Sequence, residues 1–236
     1  MNNIVKPTLV LGLIALVASM ALSHIKKITY PNILKQEKEK QERALAMVLP
    51  GYAVGDKVTV KVDGGDFSYW PAHKDESGAV KKAYAFITSS TGYSGDVVSM
   101  VGVDEAGTIL GLSILQQGET PGLGARSVEV ASKNTFWQTI TGNAKEEGEM
   151  SPWFQQQFTG LNGKNKITII KKGDWDPSIK DELLSRNAIT AITGATITSR
   201  ATIKGVEKGM DSLAKALEAA SQAAPAGAQS ITGGAR

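Results

Sequence analysis

The chain contains no cysteine, which removes disulfides, cysteine-ligated iron–sulfur clusters and thiol catalysis at once. Histidine is nearly missing too: His24 and His73 are the only two, and they give no basis for a histidine-built metal centre. Redox chemistry, if any, must then come from an organic cofactor or from a partner's metal. A formal net charge of +3 over 236 residues is too small to mark a nucleic-acid surface. No Gly-x-Gly-x-x-Gly opens a helix after a strand, so the chain shows no site for hydride exchange with a dinucleotide. Internal repeats are absent as well. Charge is scarce at the start, where residues 2–25 carry Lys6 alone. At about 1.5 Å per residue this stretch reaches roughly 36 Å, enough to cross a bilayer core of about 30 Å. A single uncleaved anchor is the expected reading, with a cleaved signal peptide as the alternative.

The rest of the chain reads as a mixed α and β domain. Residues 35–43 alternate charges as a solvated helix does, residues 44–49 extend it, and Pro50-Gly51 stops it. Strands are expected at 58–62, 79–88, 97–103, 108–115 and 166–172, with turns at 63–66, 92–95 and 104–107. Helices are expected at 127–140, 151–158 and 177–185. Their aromatics, Phe136, Trp137, Trp153, Phe154 and Phe158, are read as cover for the sheet. Residues 223–236 lack an apolar pattern and read as a disordered tail.

The most informative stretch is Thr193-Gly194-Ala195-Thr196-Ile197-Thr198-Ser199-Arg200. Beyond it, Ile203, Val206, Met210, Leu213 and Leu217 recur at spacings of three and four, one apolar stripe of a helix. Thr198 or Ser199 is placed to cap that helix. A helix start carries unpartnered N–H groups and a partial positive charge, so the stretch reads either as a hydroxyl-lined phosphate site or as an ordinary capped surface helix. A second compact loop, Glu119-Thr120-Pro121-Gly122-Leu123-Gly124, is by composition a tight turn whose backbone a ligand could approach.

Thr193-Gly194-Ala195-Thr196 followed by Thr198 resembles the flavinylation motif of the FMN-binding domain. That domain is shared by the G subunit of the Rnf complex and the C subunit of the sodium-pumping NADH:quinone oxidoreductase. Gly92-Tyr93-Ser94-Gly95-Asp96, a hairpin and then Glu119 to Gly124 follow in the same order as in that family. The resemblance implies an α+β fold, with one N-terminal transmembrane helix followed by a mixed or antiparallel sheet with packed helices. It implies FMN joined through its phosphate to Thr196 by a flavin transferase, with Thr193, Gly194 and Ala195 as the recognition residues. It also sets Thr120 and Leu123 against the isoalloxazine ring, with Glu119 and Gly124 alongside.

Two positions depart from the family pattern: Thr190 and Gln117 stand where Asp and His are frequent. Gln117 keeps hydrogen-bonding capacity and loses titration near neutral pH. The implied role is an electron carrier without catalytic activity of its own, assembled with other membrane subunits of the Rnf complex. The quinone reductase and a non-redox anchored binding module are the alternatives. Six cations between Lys26 and Arg43 would by charge bias keep the following domain in the cytoplasm, whereas the resemblance implies an extracytoplasmic, periplasmic domain on the inner membrane. The expected division is an anchor at 1–25, a charged stalk at 26–50, first strands at 51–88, the flavin domain at 89–217 and a flexible tail at 218–236.

Overall fold

The computed structural model describes residues 2–76, 79–130, 152–170 and 177–223. Two units divide it, residues Met1–Arg43 and Ala44–Arg236. The first is helix alone. Helix α1 (Asn2–Val48, 47 residues) carries the expected span and the charged run on one continuous element. Among the described residues it is the one helix long and apolar enough to cross a membrane, and the side chains of Leu9, Leu11, Leu13 and Leu16 stand exposed along it. Its charged part is laced by i,i+4 pairs at Lys35–Glu39 (3.9 Å), Lys38–Glu42 (3.8 Å) and Glu39–Arg43 (3.6 Å). Such exposed pairs add little stability each and keep the helix soluble.

The second unit is built on an antiparallel meander. Strands β1 (Ala53–Val54), β2 (Val58–Val62), β3 (Gly65–Glu76), β4 (Ala79–Thr91), β5 (Asp96–Asp104) and β6 (Ile109–Gln116) form one sheet, in the order β1-β3-β4-β5-β6 with β2 also on β3. The β2–β3 connection is a two-residue turn in which Asp63 (φ 51°) and Gly64 (φ 81°) both take the left-handed conformation that such hairpins need. Strand β3 was not expected from the sequence. It contains Pro71, which lies between its β2-paired half (Gly65–Tyr69) and its β1-paired end (Ala72, His73). Proline lacks an N–H and is tolerated where the ladder on one side is interrupted.

Side chains alternate across β4, and both faces are covered. Tyr84 and Phe86 face a main core with Val101, Val103, Ile109 and Leu112, while Ala83 and Ala85 face a smaller one with Trp70, Ala72 and Met100. Helix α4 (Thr196–Ala223) closes the main core with the expected stripe: Ile203, Val206, Met210 and Leu213 are buried and Leu217 is partly buried. It approaches the sheet closely at Gly209, where a Cβ would run into the Phe86 ring, and the Thr88 hydroxyl donates to the Gly205 carbonyl at 2.7 Å. The smaller core is capped by the last turn of α1, with Ala44 and Val48 buried against the sheet and followed by buried Leu49.

Short elements fill the end of the main core. Helix α2 (Trp153–Gln156) follows Pro152, and Trp153, Phe154 and Phe158 are buried in the main cluster, as expected of sheet-covering aromatics. The expected helix at 127–140 falls largely outside the described residues; within them, residues Gly124–Val128 form a 3-10 turn. Strands β7 (Thr168–Ile170) and β8 (Ala188–Thr190) make a parallel pair, joined through a 3-10 turn and helix α3 (Lys180–Ser185). Asn187 (φ 47°) ties this corner: its Oδ1 accepts from Asn162 N–H at 2.8 Å, and its Nδ2 donates to the Asn162, Asn165 and Lys166 carbonyls.

Candidate functional site

An antiparallel meander returns alternate connections to the same end of the sheet. The β4–β5 turn (92–95) and the segment after β6 (117–124) therefore emerge together, and α4 begins beside them. Residues Tyr93, Glu119, Thr120, Leu123, Gly124 and 194–198 line one cavity of about 450 Å³. That volume lies within the roughly 300–1,000 Å³ usual for small-molecule and cofactor sites.

Each wall is fixed by its own hydrogen bonds. In the β4–β5 turn, Gly92 N–H donates to the Gly95 carbonyl at 2.8 Å. In the second wall, the Thr120 carbonyl accepts from Leu123 N–H (3.2 Å) and Ala125 N–H (3.3 Å), which curls the loop over Gly122 (φ 75°). Gln117 Oε1 accepts from Glu119 N–H at 2.6 Å, so the amide at this departure from the family pattern supports the loop's first residue.

The third wall is the entry to α4. Gly194 (φ 78°) makes the turn, and Ala195 N–H donates to the Ile192 carbonyl at 2.9 Å. The helix starts at Thr196, which corrects the expectation that Thr198 or Ser199 caps it: both lie inside the first turn. Ser199 Oγ accepts from Ile192 N–H (3.0 Å) and donates to the Ala195 carbonyl (3.1 Å). Thr190 is buried away from the cavity lining, its N–H and hydroxyl both donating to Gln157 Oε1 at 2.7 and 2.9 Å.

Glu119 joins the three walls. Its residue is 7% exposed; Oε1 accepts from Tyr93 N–H (2.8 Å) and Ser94 N–H (3.4 Å), and Oε2 accepts from the Thr198 hydroxyl (2.9 Å). The carboxylate is packed so closely that a Cβ at Gly124 would lie 2.6 Å from Oε2, and one at Gly92 would overlap Oε1. These two glycines are required by space. With three donors on it, the carboxylate is a structural acceptor within the cavity wall.

The hydroxyls of the 193–199 segment differ in what they do. Ser199 and Thr198 are committed as above, and Thr193 is not among the lining residues. Thr196 is half-buried, lines the cavity and makes no side-chain hydrogen bond among the described residues. The backbone N–H groups of Thr196, Ile197 and Thr198 begin the helix and have no intrahelical acceptor. No Lys or Arg is among the lining residues, so an anion in this cavity would be received by those amides and the helix dipole. Around the mouth stand Tyr93 (73% exposed), Ile197 (53%) and Leu123 (45%), an apolar rim fit for the face of a planar ring.

Of the expected site residues, Thr196, Gly194, Ala195, Glu119, Thr120, Leu123 and Gly124 meet at the cavity, and Thr193 flanks it. Tyr93, Ile197 and Thr198 were not expected as lining. Tyr93 carried a signal, an aromatic at the tip of a glycine-flanked turn where it has no core to join.

The chain is similar to known proteins over most of its length. The chain is 29% identical over 208 residues to the G subunit of the Na(+)-translocating ferredoxin:NAD(+) oxidoreductase complex of Acetobacterium woodii, covering 84% of this chain and 86% of that protein. It is 27% identical over 210 residues to the G subunit of the proton-translocating complex of Clostridium ljungdahlii, covering 89% and 91%. A solved structure of the C subunit of the Na(+)-translocating NADH-quinone reductase from Parabacteroides distasonis superposes with a TM-score of 0.50 at 18% identity, covering 78% of this chain and 95% of that one. That likeness establishes a shared α+β fold. The signature of the FMN-binding domain matches residues 92–211, just over half of the 236 residues and inclusive of all three cavity walls. The chain belongs to the FMN-binding domain family.

Proposed function

We propose that this chain is the flavin-carrying G subunit of a membrane-bound, ion-translocating ferredoxin:NAD(+) oxidoreductase complex, and that it holds FMN as a phosphoester on Thr196. The observation that carries the attachment site is the Thr196 hydroxyl. It faces the cavity with no hydrogen-bond partner among the described residues, while the neighbouring Thr198 and Ser199 hydroxyls are committed. The relatives named above, aligned over most of their length, support the choice of complex.

The residues present fit FMN. Amides at the start of α4 would hold a phosphate esterified at Thr196, and the helix dipole would favour its charge. Gly194 lets Leu123 pack against the start of α4, since a Cβ there would come within 2.9 Å of Leu123 Cδ2. Leu123, Ile197 and Tyr93 offer apolar contact to a ring, and Thr120 offers a hydroxyl at its edge. Bound FMN would supply one- and two-electron redox chemistry; the chain's part is to hold, orient and shield it. The apolar N-terminal helix supports a single-pass anchor. In this reading a flavin transferase acts on the domain outside the cytoplasm, and the other subunits of the complex are its partners.

Intact-mass analysis and peptide mapping of protein purified from its native membrane test the proposal. A single FMN-phosphoryl adduct on the Thr196 peptide, lost in Thr196→Ala, is the expected result. Unmodified protein from cells with an active transferase would overturn it. Thr120→Ala and Leu123→Ala should keep the adduct and shift the visible spectrum or the redox potential. If neither variant shifts either quantity, this loop does not face the ring.

A further inference from the structure

Thr196 and Thr198 sit two residues apart, both threonines and both lining the same cavity. Proximity alone does not say which hydroxyl is esterified. We propose that Glu119 selects the acceptor: its carboxylate withholds Thr198 from flavin transfer and leaves Thr196 as the one available nucleophile. This rests on the covalent-FMN reading above and adds a specificity determinant to it.

The chemistry of transfer sets the requirement. The threonine Oγ attacks the phosphorus that bears the flavin in a donor where that phosphorus belongs to a phosphoanhydride, such as a flavin dinucleotide. One Oγ–P bond forms, the anhydride P–O bond breaks, and a nucleoside monophosphate leaves. The hydroxyl proton passes to a base on the transferring enzyme, and no electrons change hands. An acceptor hydroxyl must therefore be reachable, with its proton open to a base and a lone pair turned outward.

Thr198 fails on reach and on its proton. Its residue is 1% exposed, and its proton is directed at Glu119 Oε2 at 2.9 Å. That carboxylate cannot swing away, because Oε1 is held by the Tyr93 and Ser94 amides and the space around it is closed by Gly92 and Gly124. A hydrogen bond to a charged acceptor is among the stronger ones a side chain can make. Thr196, half-buried, lining the cavity and unpartnered among the described residues, is within reach and has its proton open. Glu119 is thus a positioning residue, 79 positions away from Thr198 in sequence, and the selection exists only in the folded domain.

The full-length chain is co-expressed with an active flavin transferase as wild type, Thr196→Ala, Thr196→Ala with Glu119→Gln, and Thr196→Ala with Glu119→Ala. Tandem mass mapping reads the site, and circular dichroism reads the fold. Gln keeps the shape and the acceptor for the Tyr93 and Ser94 amides and frees the Thr198 proton while leaving the hydroxyl covered; Ala frees the proton and also removes the side chain that packs against the hydroxyl. The expected result is no flavin in Thr196→Ala and flavin on Thr198 in the Ala double variant, about tenfold or more above the Thr196→Ala level, with the Gln double variant between the two. A purely structural role for Glu119 would not move the label to Thr198. Flavin on Thr198 in Thr196→Ala with Glu119 intact overturns the selection, and so does a folded Ala double variant without label. Wild-type protein without an adduct on Thr196 is a failure of the covalent reading itself, and the wild-type sample reports it separately.

Discussion

Thr196→Val and Thr198→Val make one matched experiment on the wall of the cavity. Both replace a hydroxyl by a methyl, both keep a β-branched side chain in the first turn of α4, and their helix propensities change equally. Their surroundings differ. At position 198 the lost hydroxyl leaves Glu119 Oε2 buried without its donor. Hydrogen bonds to charged groups contribute about 1.5–3 kcal/mol, so Thr198→Val should cost about 2 kcal/mol. At position 196 no bond is lost among the described residues and the side chain is half-buried, so the cost should stay within about 0.5 kcal/mol. For a domain of this size each kcal/mol shifts Tm by roughly 2–4 °C, giving a drop of about 4–8 °C for Thr198→Val and at most about 2 °C for Thr196→Val. The assay is thermal unfolding of the full chain in detergent by circular dichroism, with protein made in cells lacking the transferase, so that no adduct contributes. Equal shifts, or a larger shift for Thr196→Val, would refute the assignment of the two hydroxyls.

Other perturbations test the scaffold. Asn187→Ala removes a side chain that makes four hydrogen bonds across the β7–β8 corner and should cost about 2 kcal/mol, read as a lower denaturation midpoint. Gly209→Ala adds a Cβ that meets the Phe86 ring and should destabilise by about 1–3 kcal/mol; an unchanged midpoint would mean the helix can move off the sheet. Lys81, by hydrogen bond and charge, with Lys74 adding to it, holds the Glu76 carboxyl below its ordinary value of 4.5. A lowered carboxyl stabilises the fold above its unfolded value and loses that contribution as pH falls through the folded one. Lys81→Ala should therefore flatten a small loss of stability below pH 4.5 and lower the neutral-pH midpoint only slightly, because the pair is exposed.

Where pattern and burial coincide, the fold was legible in the residues. The alternation in β2 found the face that the structure partly buries, and the three-and-four spacing through Ile203, Val206, Met210 and Leu213 found the buried one. Strand β3 escaped because Pro71 and the run His73-Lys74-Asp75-Glu76 deny it strand propensity; it is held by β4 on one side and by β2 and β1 on the other. Strand β8, three residues long, is too short to carry a period. The site was half legible. A hydroxyl-rich segment before an amphipathic helix left an anion site and an ordinary capped helix both open. That Glu119 meets Thr198 across 79 positions belongs to the folding of the meander, which no local pattern encodes. Resemblance brought the two loops together, and the structure added the carboxylate that joins them.

The last turn of α1 bears on where this chain can be cut. Gly102 and Gly111 face each other across β5 and β6, and the backbone of Val48 rests where their side chains would be. Together with Ala44 and Leu49 it covers Trp70, Ala72, Ala83, Ala85 and Met100. A trimmed version that begins at Pro50, just past the helix, would uncover that apolar face and self-associate, whereas one that begins a few residues before Ala44 would keep the plug in place. Crystallisation and electrochemistry of the isolated flavin domain should therefore start from the longer boundary.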